Sequence, residues 1–250
     1  MIERTLEDGI LTLRLAHGKA SAMDIELLQA LVAELHAATD GCRAVILTGT
    51  GSIFSAGVDL IRLTEGGATY VQRFLPLLTE FVEALFAFPR PLVAAANGHA
   101  IAGGCVMVLA ADYRLFATGS GRIGVPELLV GVPFPAAPLE VVRFAVPPNR
   151  LQSLVYTGRT LLPDEALAWG LVDELVAPDG LAARAREVAR QLAALPEAPF
   201  RLTKKALRKD ALRRIAELRR EPEEGEALRI WSEPDTRQRI RDYLSRTLRK

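Results

Sequence analysis

The sequence predicts an α/β fold with a helical C-terminal extension, on three observations. Short, continuous apolar runs at residues 44–48 and 92–96 have the length and composition of strands covered on both faces. Segments with apolar residues at helical spacing lie between such runs, the alternation expected of βαβ units with right-handed crossovers. Beyond Pro178 the pattern turns almost wholly helical.

The elements follow in order. Leu11, Leu13 and Leu15 alternate with Thr12 and Arg14, and Asp8-Gly9 supplies a turn, so a β-hairpin is expected first. Ile25, Leu28, Leu31, Val32 and Leu35 share one helix face, with Asp24 placed as N-cap. After the strand at 44–48, residues 49–67 are rich in Gly and Ser and read as loop with a short strand at most. Residues 70–88 form a helix ended by Pro89 and Pro91. A strand at 92–96, a helix at 103–109 and a strand at 113–117 come next, and 128–133 reads as extended or broken. Helices near 139–144, 149–156 and 164–169 precede a last strand at 171–176. Helices over 180–194, 199–219 and roughly 223–248 complete the chain. The shift near residue 195 marks a core of residues 1–195 and a helical subdomain of residues 196–250 that does not fold separately.

Composition narrows the functional classes. The 250 residues are 50% hydrophobic and 24% charged, enough to bury a substantial core without disulfides. Cys42 and Cys105 stand in apolar surroundings, which fits a reducing, cytoplasmic setting. Residues 1–15 alternate, so no secretory leader is expected there, and the longest apolar stretch, 100–111, is too short to span a bilayer. Net charge is +1, yet residues 201–250 hold 16 Lys/Arg against nine Asp/Glu. That excess reads as solvated helical faces, because Phe200, Trp231 and Tyr243 are too few for the aromatic interleaving of a nucleic-acid surface. His17, His36 and His99 lack metal-ligand spacing, so no metal is expected. Gly119-Ser120-Gly121-Arg122-Ile123-Gly124 matches a dinucleotide fingerprint literally, but Pro126 follows where a helix must open. The Gly-rich run 48–52 lacks the P-loop lysine, and no G-x-S-x-G elbow occurs.

Two segments remain. Residues 53–60, Ile-Phe-Ser-Ala-Gly-Val-Asp-Leu, place small residues just after a buried strand. Residues 97–105, Asn-Gly-His-Ala-Ile-Ala-Gly-Gly-Cys, run from a buried strand through small residues into a helix start. A helix start presents free N–H groups and the positive end of its dipole. Two such loops at neighbouring strand ends aim two N–H groups at one oxygen, the arrangement of an oxyanion hole. Tight packing also accounts for small residues in each segment taken alone.

With Lys19-Ala20-Ser21-Ala22-Met23, Gly124-Val125-Pro126-Glu127, and Thr157-Gly158 through Gly170-Leu171-Val172, these segments resemble the enoyl-CoA hydratase/isomerase (crotonase) superfamily in order and spacing. The resemblance implies a crotonase-like spiral of ββα repeats whose helical tail serves trimerisation, giving a homotrimer or homohexamer. It implies an acyl-CoA thioester substrate, with coenzyme A part of that substrate and no further cofactor. The N–H groups of Val58 and Gly103 would hold the thioester oxygen. Lys19, Ala20, Ala22, Ala56, Gly57 and Gly104 would bind the coenzyme A portion.

The acid/base residues separate the reactions. Hydratases of the family carry two glutamates, and here the first position is Val106 while the second is Glu127. Water addition needs a base on water and an acid at C2. A double-bond shift needs one carboxylate, which takes a proton from C2 and returns it at C4. The single Glu127 therefore resembles the isomerases more than the hydratases. A hydratase with a borrowed acid and a non-catalytic acyl-CoA-binding subunit stand as alternatives. Asp59, Tyr70, Glu80, Glu83 and Glu140 read as solvated or capping groups. The loop after Gly131-Val132-Pro133, where Phe134-Pro135-Ala136-Ala137-Pro138 replaces the family's glycines, bears on substrate range.

Overall fold

The computed structural model describes residues 1–247. Strands β1 (Ile2–Glu7) and β2 (Ile10–Leu15) form the expected hairpin, with Asp8 and Gly9 at positive φ in the turn. Helix α1 (Ile25–Gly41) starts at Asp24, whose carboxylate accepts the Leu27 N–H at 2.8 Å. Three ββα turns then follow. The first is β3 (Ala44–Thr48), β4 (Ile53–Ser55) and α2 (Leu60–Ala87). The second is β5 (Leu92–Ala96), β6 (His99–Ile101) and α3 (Gly103–Leu109). The third is β7 (Tyr113–Ala117), β8 (Ile123–Gly124) and the single turn α4 (Glu127–Val130). Helices α5 (Ala136–Ala145) and α6 (Pro148–Thr157), strand β9 (Thr160–Leu161), helix α7 (Pro163–Ala168) and strand β10 (Glu174–Val176) close the core. Helices α8 (Leu181–Ala193), α9 (Glu197–Leu218), α10 (Pro222–Ser232) and α11 (Pro234–Thr247) complete it.

The first strand of each turn enters a six-stranded sheet of order β1-β2-β3-β5-β7-β10, and the second enters a four-stranded sheet of order β4-β6-β8-β9. In the smaller sheet β4, β6 and β8 run parallel, so their carboxyl ends lie on one edge. This is the predicted α/β class in its spiral form.

Several expectations are corrected. Helix α2 begins at Leu60, within the span read as loop, because the Asp59 carboxylate accepts the Arg62 N–H at 2.9 Å. Gly67 interrupts it with φ 60°, ψ −155°. Residues 128–130, within the span 128–133 read as extended or broken, belong to one helical turn, Glu127–Val130. The last core strand starts at Glu174, since Leu171 and Val172 are buried between elements and pair with no strand. The final helix, expected over roughly 223–248, is two helices broken at Pro234, and its residue 248 lies outside the described residues.

The tail rests on the same core as the sheets. Ala211, Ile215, Trp231 and Ile240 belong to the apolar cluster built from β2, β3, α1 and α2. Buried Lys204 and Arg208 of α9 meet Asp112 at 2.6 and 2.7 Å, a carboxylate that also accepts the Leu92 N–H. Paired and hydrogen-bonded, these buried charges fix α9 against the start of β5 and the end of α3.

Candidate active site

The site lies where β4, β6 and β8 end. Beyond β4 the chain runs beside residues 20–23: Ala56 N–H donates to Ala20 O at 3.0 Å, Met23 N–H to Gly57 O at 2.7 Å, and Asp59 N–H to Met23 O at 2.9 Å. These last two bonds flank Val58, so its own N–H is turned away from Met23. Gly57, at φ +80°, allows the approach of the next loop: a Cβ there would meet Ile101 O at 2.7 Å and Gly103 N at 3.0 Å. Gly103 is the first residue of α3, whose N–H has no acceptor in its own helix. Among the described residues, neither the Val58 nor the Gly103 N–H donates to a protein acceptor.

Ala102 sets the direction of that second N–H. It sits at φ 52°, ψ −122°, a conformation that costs a residue with a Cβ about 1–3 kcal/mol. Its N–H donates to Gly124 O at 2.8 Å, which anchors the turn to β8. Gly104 packs directly on β4, where a Cβ would stand 2.3 Å from Ser55 O.

Glu127 stands three positions after the end of β8 and lines an apolar cleft, partly open to solvent, which Val58 and Gly103 also line. The carboxylate is buried, and its Oε2 has no hydrogen-bond partner. Burial pushes its pKa up from 4.5 to about 8. Such a group, neutral at rest and basic once ionised, is typical of proton-transfer sites. Among the described residues lining the cleft it is the only carboxylate. Val106, which also lines the cleft, is 1% exposed and offers no proton.

The sequence-predicted residues fall into two groups. Val58, Gly103, Ala56 and Glu127 line one cleft, whereas Gly57 and Gly104 do not line it and instead pack the first loop against the second and α3 against β4. Lys19, Ala20 and Ala22 form the loop bonded to Ala56, outside the cleft, with Lys19 exposed. Asp59 caps α2, and the Tyr70 hydroxyl accepts the Ile25 N–H at 3.3 Å. Exposed Glu80 stays at the surface, and Glu83 pairs with Arg219. Glu140 corrects the expectation of a solvated or capping group: it is 1% exposed and bonded to Arg214 at 2.6 Å and Arg143 at 2.9 Å. Sequence reasoning missed Trp231 and Tyr243, which reach the cleft from α10 and α11. The one available signal was a lone tryptophan in a polar, basic tail. Among the described residues no group of three or more His, Cys, Asp or Glu could hold a metal ion, and no helix is long and apolar enough to cross a membrane.

Comparisons with known proteins give the family. The family model described as enoyl-CoA hydratase/isomerase matches residues 5–243. A putative enoyl-CoA hydratase of Thermus thermophilus is 38% identical over 189 residues, covering 74% of this chain and 73% of that protein. Mitochondrial enoyl-CoA delta isomerase 1 of Rattus norvegicus is 30% identical over 213 residues, covering 84% and 74%. The crystal structure of human mitochondrial delta3-delta2-enoyl-CoA isomerase superposes with a TM-score of 0.93 at 25% identity, over 99% of this chain and 98% of that one. A match over nearly the whole length, on a spiral of ββα turns, places the chain in the enoyl-CoA hydratase/isomerase family of the crotonase superfamily.

Proposed function

We propose that this protein is an enoyl-CoA isomerase, moving a double bond from C3 to C2 of an acyl-CoA thioester with Glu127 as its single proton carrier. The observation that carries the reading is the lone carboxylate: Glu127 stands in an apolar cleft whose lining has Val106 at the position of the other hydratase glutamate. The thioester oxygen accepts from the Val58 and Gly103 N–H groups, which stabilise the negative charge as C2 loses its proton. Each preorganised donor of this kind contributes about 3–4 kcal/mol to the barrier. Ionised Glu127 takes the C2 proton, becomes the neutral acid that its apolar surroundings favour, and returns the proton at C4. Its raised pKa makes it a stronger base toward a weakly acidic carbon. Lys19, Ala20, Ala22 and Ala56 border the mouth and hold the coenzyme A portion, with Gly57 and Gly104 keeping the two loops close.

Water addition to a 2-enoyl-CoA asks for a second acid, and among the described residues the cleft walls supply no second carboxyl group. The test is a paired assay on 3-enoyl-CoA and 2-enoyl-CoA thioesters, with Glu127→Gln alongside. Isomerisation lost in the variant supports the reading. Hydration without isomerisation makes the enzyme a hydratase, and coenzyme A binding with neither activity makes it a binding subunit. We also infer a homotrimer or homohexamer in the cytoplasm. Leu202 and Leu207 on α9, each 69% exposed, support a partner surface on the helical tail, which sedimentation velocity tests.

A further inference from the structure

The cleft has a direction. Its lining passes from exposed to buried: Ala56 is exposed, whereas Leu78, Val82, Val132 and Trp231 are each no more than 3% exposed. A thioester whose oxygen meets Val58 and Gly103 therefore sends its acyl chain past Glu127 toward that buried wall. Trp231 belongs to α10, more than 100 residues along the chain from Glu127, and its indole N–H donates to Pro133 O at 2.9 Å. The bond satisfies the indole's only donor and fixes the segment carrying half-buried Phe134 and buried Pro135. The indole and this segment together form a stiff end to the cleft. Apart from the Tyr243 hydroxyl, the side chains of this far part are hydrocarbon or aromatic, and none carries a charge.

We infer that Trp231, held by Pro133, sets the length limit for the acyl group, and that the acyl group is a plain hydrocarbon chain. The inference rests on the proposed site for the thioester but not on the reaction carried out there. A dry wall without charged partners penalises a hydroxylated, carboxylated or cationic tail, because each polar group loses its water and gains no partner. Each methylene that enters such a cleft strengthens binding by about fourfold. The gain stops when the chain end meets the indole.

The test is calorimetric binding of saturated acyl-CoA thioesters, from butanoyl to hexadecanoyl, to the full-length protein. Saturated thioesters do not isomerise, so binding is read apart from chemistry. The expected wild-type result is a rise of about fourfold per methylene that ends at a defined length. In Trp231→Leu the rise continues for at least two further carbons, while acetyl-CoA binding stays the same. Phe134→Ala, from the same wall but outside the most buried core, is the second variant and is expected to lengthen the limit too. A wild-type series that climbs through hexadecanoyl, a flat series, or a limit unmoved in both variants overturns the inference. So does a trimethylammonium-tipped thioester that binds as tightly as the hydrocarbon of equal length. If the limit moves in the variants but no 3-enoyl-CoA is isomerised, the proposed reaction fails and the length limit stands.

Discussion

Replacing Glu127 with glutamine removes a proton that the fold holds and the unfolded chain does not. Burial raises the carboxyl from 4.5 to about 8, so between those pH values folded Glu127 stays protonated while unfolded Glu127 ionises. A group with a raised folded pKa contributes stability that is complete below the unfolded value and disappears as pH climbs to the folded value. The loss runs at about 1.4 kcal/mol per pH unit, to a ceiling of about 5 kcal/mol near pH 8. Glutamine keeps the size and stays neutral throughout. The two proteins should therefore melt together near pH 4 and part steadily above it. For a chain of this size about 2–4 °C accompanies each kcal/mol, so the variant melts about 10 °C higher at pH 9. Differential scanning calorimetry of both proteins from pH 4 to pH 9.5 reads the gap, because all other titrating groups are shared and cancel. A gap that stays constant across the range would refute the buried, neutral carboxyl.

Three further outcomes follow from the same geometry. Because Glu127 must be ionised to accept a proton, kcat/KM for isomerisation should increase with pH and reach half its plateau near pH 8; a rate that falls over pH 6–9 contradicts a base in this role. Val106→Glu adds a second carboxyl to the cleft lining, and hydration of a 2-enoyl-CoA should increase sharply; an unchanged hydration rate counts against this assignment of the cleft. Gly104→Ala brings a Cβ within 2.3 Å of the Ser55 carbonyl and should cost about 3 kcal/mol in urea unfolding. Gly103→Ala meets only the flexible Met23 side chain, at 2.9 Å, and should cost less than about 1.5 kcal/mol, so equal losses for the pair would contradict the close approach of the two loops.

Much of the fold was legible because its main strands are unbroken apolar runs. β3, β5 and β7 occupy the residues predicted for them, as do α3 and the start of α1. Of the short partners, β4 falls in the span allowed a short strand at most, while β6 and β8 were not read, since two or three residues carry too little periodicity to register. The threefold ββα repeat was legible through the family resemblance and not from periodicity, because its helices run from four residues in α4 to 28 in α2. The start of α2 was lost in Gly- and Ser-rich composition that one aspartate cap outweighs. At the site, the residues near Glu127, Val58 and Gly103 in the chain were visible from local motifs. Strain at Ala102 and the arrival of Trp231 depend on contacts between distant segments, which no local pattern records. Glu140 was misjudged because its arginine partner lies 74 residues away on α9.

The three turns of the spiral deliver one functional group each: Val58 after β4, Gly103 after β6 and Glu127 after β8. In the proposed mechanism, the hold on the thioester oxygen and the group that moves the proton are thus encoded in different turns. A change confined to the third turn can exchange the acid/base chemistry while the grip on the carbonyl stays intact. A change in the α10–α11 tail can alter which chains enter without touching either. Reaction and substrate range can then drift independently within one lineage, so overall likeness between two such chains is a poor guide to shared chemistry, and the residue standing beside the bound C2 atom is the better one.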